Sequence, residues 1–102
     1  KEMLLTARSF SAEDALRWGL VNRVVSAEEL DATIDSLTTD ITANAPLSVK
    51  ASKLLVNQAQ KENNDRDYNL CNTLIDVCTN SEDIVEGRRA FAEKRPPKFT
   101  GR

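Results

Sequence analysis

The feature that most constrains the fold is an apolar stripe at helical spacing that directly follows a helix-start motif. Ser26 and Glu29 form a capping-box pattern, in which each side chain bonds the backbone N–H of the other residue. Apolar residues then recur at Leu30, Ile34, Leu37 and Ile41. Steps of three and four residues place these side chains on one face of an amphipathic helix. The segment therefore predicts a long helix with one buried face.

Shorter start and stop signals predict further helices on either side of this one. Ser11 begins a variant capping box, and Gly19 suits the left-handed conformation that ends a short helix over residues 12–18. Pro46 has the fixed φ that favours the first position of another helix. The face of that helix that we expect to be buried comprises Leu47, Ala51, Leu54 and Leu55. Residues 20–25 are rich in β-branched side chains and predict an extended segment or a brief strand.

Two more helices are predicted in the last third of the chain, after a loop at residues 62–65. The first presents an apolar face formed by Leu70, Leu74, Ile75 and Cys78. Ser81 is the expected N-cap of the second, which we predict to run to about Lys94 and to end at the following prolines. Gly87 lies inside it at a cost of about 1 kcal/mol relative to alanine, which indicates close packing. The predicted fold class is all-α, with five or six short helices and little or no sheet.

Charge is distributed unevenly along the chain. The net charge is −2, but the last fifteen residues carry six basic side chains against Glu93 alone. These basic residues are Arg88, Arg89, Lys94, Arg95, Lys98 and Arg102. A basic end on an acidic body is typical of a surface that meets an anion, although such charges can also serve only to keep a tail solvated. We interpret residues 95–102 as a basic tail.

Several chemistries are excluded or disfavoured by composition. The chain has no His, which removes the commonest general acid/base and metal ligand. Cys71 and Cys78 lie on one predicted helix, about 10 Å apart, which is too far for a disulfide. The chain also has no signal sequence and no long apolar run. Together with the unpaired cysteines, these features favour a cytoplasmic protein that does not enter a membrane. The first residue is Lys1 rather than Met, within a predicted helix, so we expect a truncated chain.

Three blocks of sequence carry a resemblance to a known family. The first contains LLTAR from residue 4, SAEDAL from residue 11 and GLVNRVV from residue 19. The second is APLSVKASK from residue 45, and the third is SEDIVEGRRAF from residue 81, followed by EKRPPKF from residue 93. In this order they resemble the crotonase (enoyl-CoA hydratase/isomerase) superfamily over essentially the whole chain. Ala7 and Ser26 depart from the pattern, since many relatives have Gly and Pro there.

The resemblance implies the carboxy-terminal helical domain of a crotonase-like fold, over residues 1–102, without its β-β-α core. In the family, the N–H groups that stabilise the thioester enolate and the catalytic acids lie in that core. The resemblance therefore implies no catalytic residue and no metal ligand in this chain, which we expect to be inactive alone. It implies an enoyl-CoA hydratase or isomerase of fatty acid metabolism as the parent enzyme. A coenzyme A thioester is the expected substrate, and no separate cofactor is expected.

The same resemblance assigns candidate binding residues. Phe91 and Lys94 match positions at which the family's last helix reaches the coenzyme A site, and their spacing predicts that they share a helix face. A ring can lie near the adenine, while an ammonium pairs with a phosphate oxygen. The family also implies a homo-oligomer, a trimer or a hexamer. For Phe91 the alternative is a core residue facing inward with Ile84, and for Lys94 it is a solvated cation at a helix end.

Two other functions remain open at this point. The chain could belong to a crotonase-like protein that keeps the fold as a binding or scaffolding module. It could also be an unrelated small helical interaction module whose basic tail binds nucleic acid. We expect no nucleic-acid partner, because the body is acidic and few aromatic residues lie among the basic ones.

Overall fold

Six α-helices and one short 3-10 turn account for the regular structure of the computed structural model, which describes residues 1–102 and contains no strand. The helices are α1 (Glu2–Thr6), α2 (Ala12–Arg17), α3 (Ala27–Thr42), α4 (Pro46–Ala59), α5 (Tyr68–Thr79) and α6 (Glu82–Ala92), and the turn is Asn63–Asp65. The prediction of an all-α fold is confirmed. Residues 20–25 form no strand. No helix has both the length and the apolar character needed to cross a membrane.

The predicted helix starts are confirmed by their hydrogen bonds. The Ser26 backbone N–H donates to Glu29 Oε2 at 3.2 Å, and the Glu29 N–H donates to Ser26 Oγ at 3.3 Å, so both bonds of the capping box are present. Ser11 Oγ caps α2 and Ser81 Oγ caps α6 by accepting a backbone N–H three residues on. Pro46 occupies the start of α4. Each start is set by residues within one helical turn, which is why sequence was sufficient to predict it.

The chain divides into two compact units, residues 1–36 and 37–102, and α3 crosses the division. In the first unit, the rings of Phe10 and Trp18 lie with centroids 5.6 Å apart. Gly19 has a φ of 72°, the left-handed conformation predicted for the glycine at the end of α2. Ala7, which follows α1, also has a positive φ of 50°, so this turn adopts a left-handed conformation although alanine carries a Cβ. In the second unit, α4 packs on α5 and α5 packs on α6.

The helical faces are much less buried than their pattern predicts. The buried apolar side chains are Ala15, Ala51 and Ala90, and no large side chain is fully buried. The stripe of α3, namely Leu30, Ile34, Leu37 and Ile41, is 46–48% exposed. The expectation of a buried face on α3 is therefore wrong for this chain by itself, because the helix is amphipathic but little else covers its apolar side. Such faces are available for further packing.

We expect the 102-residue chain, produced by itself, to self-associate or to exchange helices between copies. Leu4 and Leu5 are at least 80% exposed in addition to the α3 stripe, so association would remove much apolar surface from water. Sedimentation equilibrium measures the mass directly. A monodisperse monomer across a wide concentration range would contradict the expectation.

Candidate functional site

Phe91 is the most exposed large apolar side chain of the protein. It lies in the last turn of α6, and its side chain is 88% exposed. The alternative in which it faces inward as a core residue is therefore wrong for this chain. An aromatic ring held in water on a helix is available to stack on a planar partner.

An open cleft with a volume of about 330 Å³ lies beside the Phe91 ring. Side chains from α4, α5 and α6 and from the terminal segment (residues 95–102) line it, among them Ser48, Cys78, Ile84, Arg88 and Phe99. Its wall is mainly apolar, and Arg88 supplies a cation one helical turn before Phe91. The cleft therefore offers a ring, an apolar wall and a positive charge at one end of α6.

Lys94 lies beyond the helix rather than in it. Helix α6 ends at Ala92, so the expectation that Phe91 and Lys94 share a helix face is wrong. The Lys94 N–H donates to the Phe91 carbonyl at 3.2 Å, and the Arg95 N–H donates to the Ala90 carbonyl at 3.0 Å. These two bonds form a Schellman motif, which places Lys94 in the left-handed region with a φ of 52°. Glycine usually occupies this position, so a lysine there does not indicate the turn.

Arg95 is held by two carboxylates. Its Nη1 and Nη2 donate to Glu86 Oε1 and Oε2 at 2.6 and 3.1 Å, and its Nε donates to Glu93 Oε2 at 2.5 Å. The Glu86 side chain is only 18% exposed. The Lys94 side chain, by contrast, forms no hydrogen bond or ion pair. At this end of the protein Arg95 is neutralised, and Lys94 keeps a positive charge that is available to an anion.

The Glu86 carboxylate also bonds the backbone of the terminal segment. The Lys98 N–H donates to Glu86 Oε1 at 2.9 Å. The hydrogen bonds from Arg95 and then from the Lys98 backbone lower the pKa of Glu86 from 4.5 to about 2. The same pairing raises the pKa of Arg95. Glu86 is therefore ionised throughout the physiological range.

Asp83 fixes the last residues of the chain in a similar way. Its side chain is only 3% exposed, and its two oxygens accept the N–H groups of Thr100 at 2.7 Å and Gly101 at 2.9 Å. The Asp83 N–H donates in turn to the Arg102 carbonyl at 3.2 Å. Residues 95–102, interpreted from sequence as a basic tail, thus lie bound along α6. Sequence reasoning did not predict this role of Asp83 and Glu86, because the amides that they bind lie 12 to 18 residues further along the chain.

The bound terminal segment packs against two helices. Phe99 lies against Gly87, where an added Cβ would meet the ring at 3.5 Å, and Gly101 lies against Pro46 at the start of α4. Gly101 has a φ of 77°, a conformation that glycine adopts without strain. The prediction that Gly87 packs closely is confirmed, with Phe99 as its neighbour.

Known proteins resemble this chain in sequence and in structure. The model of the enoyl-CoA hydratase/isomerase family matches residues 1–102. Carnitinyl-CoA dehydratase of Proteus mirabilis (strain HI4320) is 41% identical over 105 residues, which cover 99% of this chain and 40% of that protein. The crystal structure of enoyl-CoA hydratase from Bacillus anthracis superposes with a TM-score of 0.89 and 29% identity, over 100% of this chain and 40% of its own. An enoyl-CoA hydratase from Mycobacterium marinum gives a TM-score of 0.75 and 40% identity, over 91% and 38%.

These helices correspond to the carboxy-terminal helical domain of crotonase-fold proteins. The chain belongs to the enoyl-CoA hydratase/isomerase family. It spans about 40% of the length of the curated relatives that it matches. The alternative of an unrelated helical module is therefore excluded. The assignment of Phe91 and Lys94 to a binding site stays a prediction.

Replacing Gly87 tests the packing of the terminal segment. We expect Gly87→Ala to be tolerated and to raise the free energy of unfolding by up to about 1 kcal/mol, because its Cβ would make an ordinary contact with Phe99 while helix propensity improves. Gly87→Leu should lower it, since the longer side chain displaces the Phe99 ring. Urea unfolding followed by circular dichroism measures both. Equal stability of the two variants would show that Phe99 does not pack there.

The lowered pKa of Glu86 predicts a specific response to acid. Because the folded state binds a proton at Glu86 more weakly than the unfolded state, the stability from this group is complete above pH 4.5 and is lost as the pH falls toward 2. We expect Glu86→Gln to remove this part of the pH dependence. Urea unfolding at several pH values between 4.5 and 2 provides the measurement.

Glu82→Gln removes the same charge from the exposed side of α6 and serves as the control. It should keep the wild-type pH dependence, because the Glu82 side chain holds no hydrogen-bond partner. If Glu86→Gln and the wild type lose stability in parallel, the Glu86–Arg95 pair does not stabilise the fold.

Proposed function

We propose that this chain is the carboxy-terminal part of an acyl-CoA hydratase or isomerase, in which it contacts the coenzyme A nucleotide and supports subunit assembly. The proposal rests mainly on the position of two residues. Phe91 is 88% exposed on α6, and Lys94, whose side chain forms no ion pair, lies just beyond the end of the same helix. Coenzyme A presents an aromatic adenine and several phosphates, so its nucleotide end matches a ring and an ammonium in chemical type. The relatives named above support an acyl-CoA thioester as the substrate class.

The chain itself contributes no catalytic group to this proposal. Four of its carboxylates serve structural roles: Glu29 caps α3, Glu86 and Asp83 bind the terminal segment, and Glu93 binds Arg95. The acid and base of the reaction would belong to the crotonase core, and the chain by itself would be inactive. No separate cofactor is needed, since coenzyme A enters as part of the substrate.

Assembly is supported by the apolar surface that the fold leaves uncovered. The α3 stripe and the side chains of α1 expose a large apolar area, as expected of faces that meet other parts of an assembled protein. We propose a homo-oligomer, a trimer or a hexamer, located in the cytoplasm. A non-catalytic crotonase-like binding protein is the second candidate. Turnover of an enoyl-CoA thioester by the protein expressed from its complete reading frame separates the two.

The coenzyme A contact is tested by removing the ammonium without disturbing the turn. Lys94→Gly fits the φ of 52° at least as well as lysine, so its effect reports the side chain and not the backbone. In the protein from the complete reading frame we expect the KM for an acyl-CoA substrate to rise about fivefold, equivalent to about 1 kcal/mol for an exposed ion pair, with kcat nearly unchanged. Phe91→Ala should also raise KM.

Lys98→Ala is the matched control, because it removes the same charge from an exposed side chain four residues further along the chain. It should change KM less than Lys94→Gly does. An unchanged KM in Lys94→Gly would reject Lys94 as a contact. Equal effects of the two variants would indicate that Lys94 acts only through the overall positive charge of this region and not through a specific contact.

A further inference from the structure

Lys94 has little backbone freedom on its amino-terminal side. The two hydrogen bonds of the Schellman motif tie Lys94 and Arg95 to the last turn of α6. A left-handed φ at a residue with a Cβ costs about 1 kcal/mol, and it persists only where surrounding contacts hold it. The turn also needs a contact on the carboxy-terminal side of Lys94.

Glu86 supplies that contact. Its carboxylate accepts two hydrogen bonds from the Arg95 guanidinium and one from the Lys98 N–H. These bonds lie on either side of the two prolines that follow the turn. Arg95 is the residue directly after Lys94, and its planar fork matches the carboxylate in a geometry that lysine cannot reproduce. Both sides of Lys94 are therefore fixed to α6.

We infer that Glu86 is a positioning residue for the coenzyme A contact: by holding Arg95 and the Lys98 amide it fixes the turn that presents Lys94, without touching the ligand itself. This inference rests on the proposed function. Glu93 also binds Arg95, but through a single bond and from a half-exposed position. Glu86 therefore carries the larger share of the positioning.

The direction in which Glu86→Gln changes the affinity for coenzyme A distinguishes a positioning role from a purely electrostatic effect. Coenzyme A is an anion, so removing a nearby negative charge would by itself tighten binding. A positioning role predicts the opposite, because Glu86→Gln loosens the turn and releases Arg95. The direction of the change in affinity is therefore diagnostic.

Isothermal titration calorimetry of free coenzyme A against the protein from the complete reading frame measures this direction. We expect Glu86→Gln to raise the Kd about threefold, and Glu93→Gln to change it less. In a Lys94→Gly background, Glu86→Gln should cause no further weakening, since no ammonium remains to be positioned. Arg95→Lys keeps the positive charge but loses the fork, and it should reproduce the effect of Glu86→Gln.

Each result has a defined meaning. An unchanged or lower Kd in both Glu86→Gln and Arg95→Lys overturns the inference, as does additive weakening in the double variant. If Lys94→Gly alone leaves the Kd unchanged, the proposed contact fails and the inference fails with it. If Lys94→Gly weakens binding while Glu86→Gln does not, only the positioning role is rejected. Should Glu86→Gln fail to fold, the Arg95→Lys measurement decides.

Discussion

Two carboxylates on one turn of α6 determine how the end of this protein is organised. Asp83 binds the backbone of residues 100 and 101, and Glu86 binds Arg95 and the Lys98 N–H. These bonds bring Phe99 against Gly87 and Gly101 against Pro46. Without these bonds, the last eight residues would not be attached to α6. The turn at Lys94 would then be fixed only by the hydrogen bonds of the Schellman motif.

Sequence predicted the features that depend on neighbouring residues. The capping box of Ser26 and Glu29 and the Gly19 turn each involve a few consecutive positions, and the structure has them as expected. Sequence failed where the partner is distant. Asp83 lies 17 and 18 positions from the amides that it binds, and the φ of Lys94 is set by a motif usually signalled by glycine.

Burial was the other quantity that periodicity could not supply. The stripe of α3 has the helical period of a buried face, yet it remains about half exposed in this chain. A pattern reports which face is apolar but not what covers it. The chain spans about 40% of the length of the curated relatives that it matches. The assignment of Phe91 and Lys94 as binding residues stays a prediction from the family resemblance, and the left-handed backbone at Lys94 was not predicted.

We propose that this end of the chain contacts the nucleotide of coenzyme A. A crystal structure of the protein from its complete reading frame, with coenzyme A bound, would show whether the contact exists. We expect the Lys94 Nζ within ion-pair distance of a phosphate oxygen, the Phe91 ring beside the adenine, and Arg95 still paired with Glu86. A nucleotide bound elsewhere, with Phe91 covered by protein and Lys94 in solvent, would contradict it.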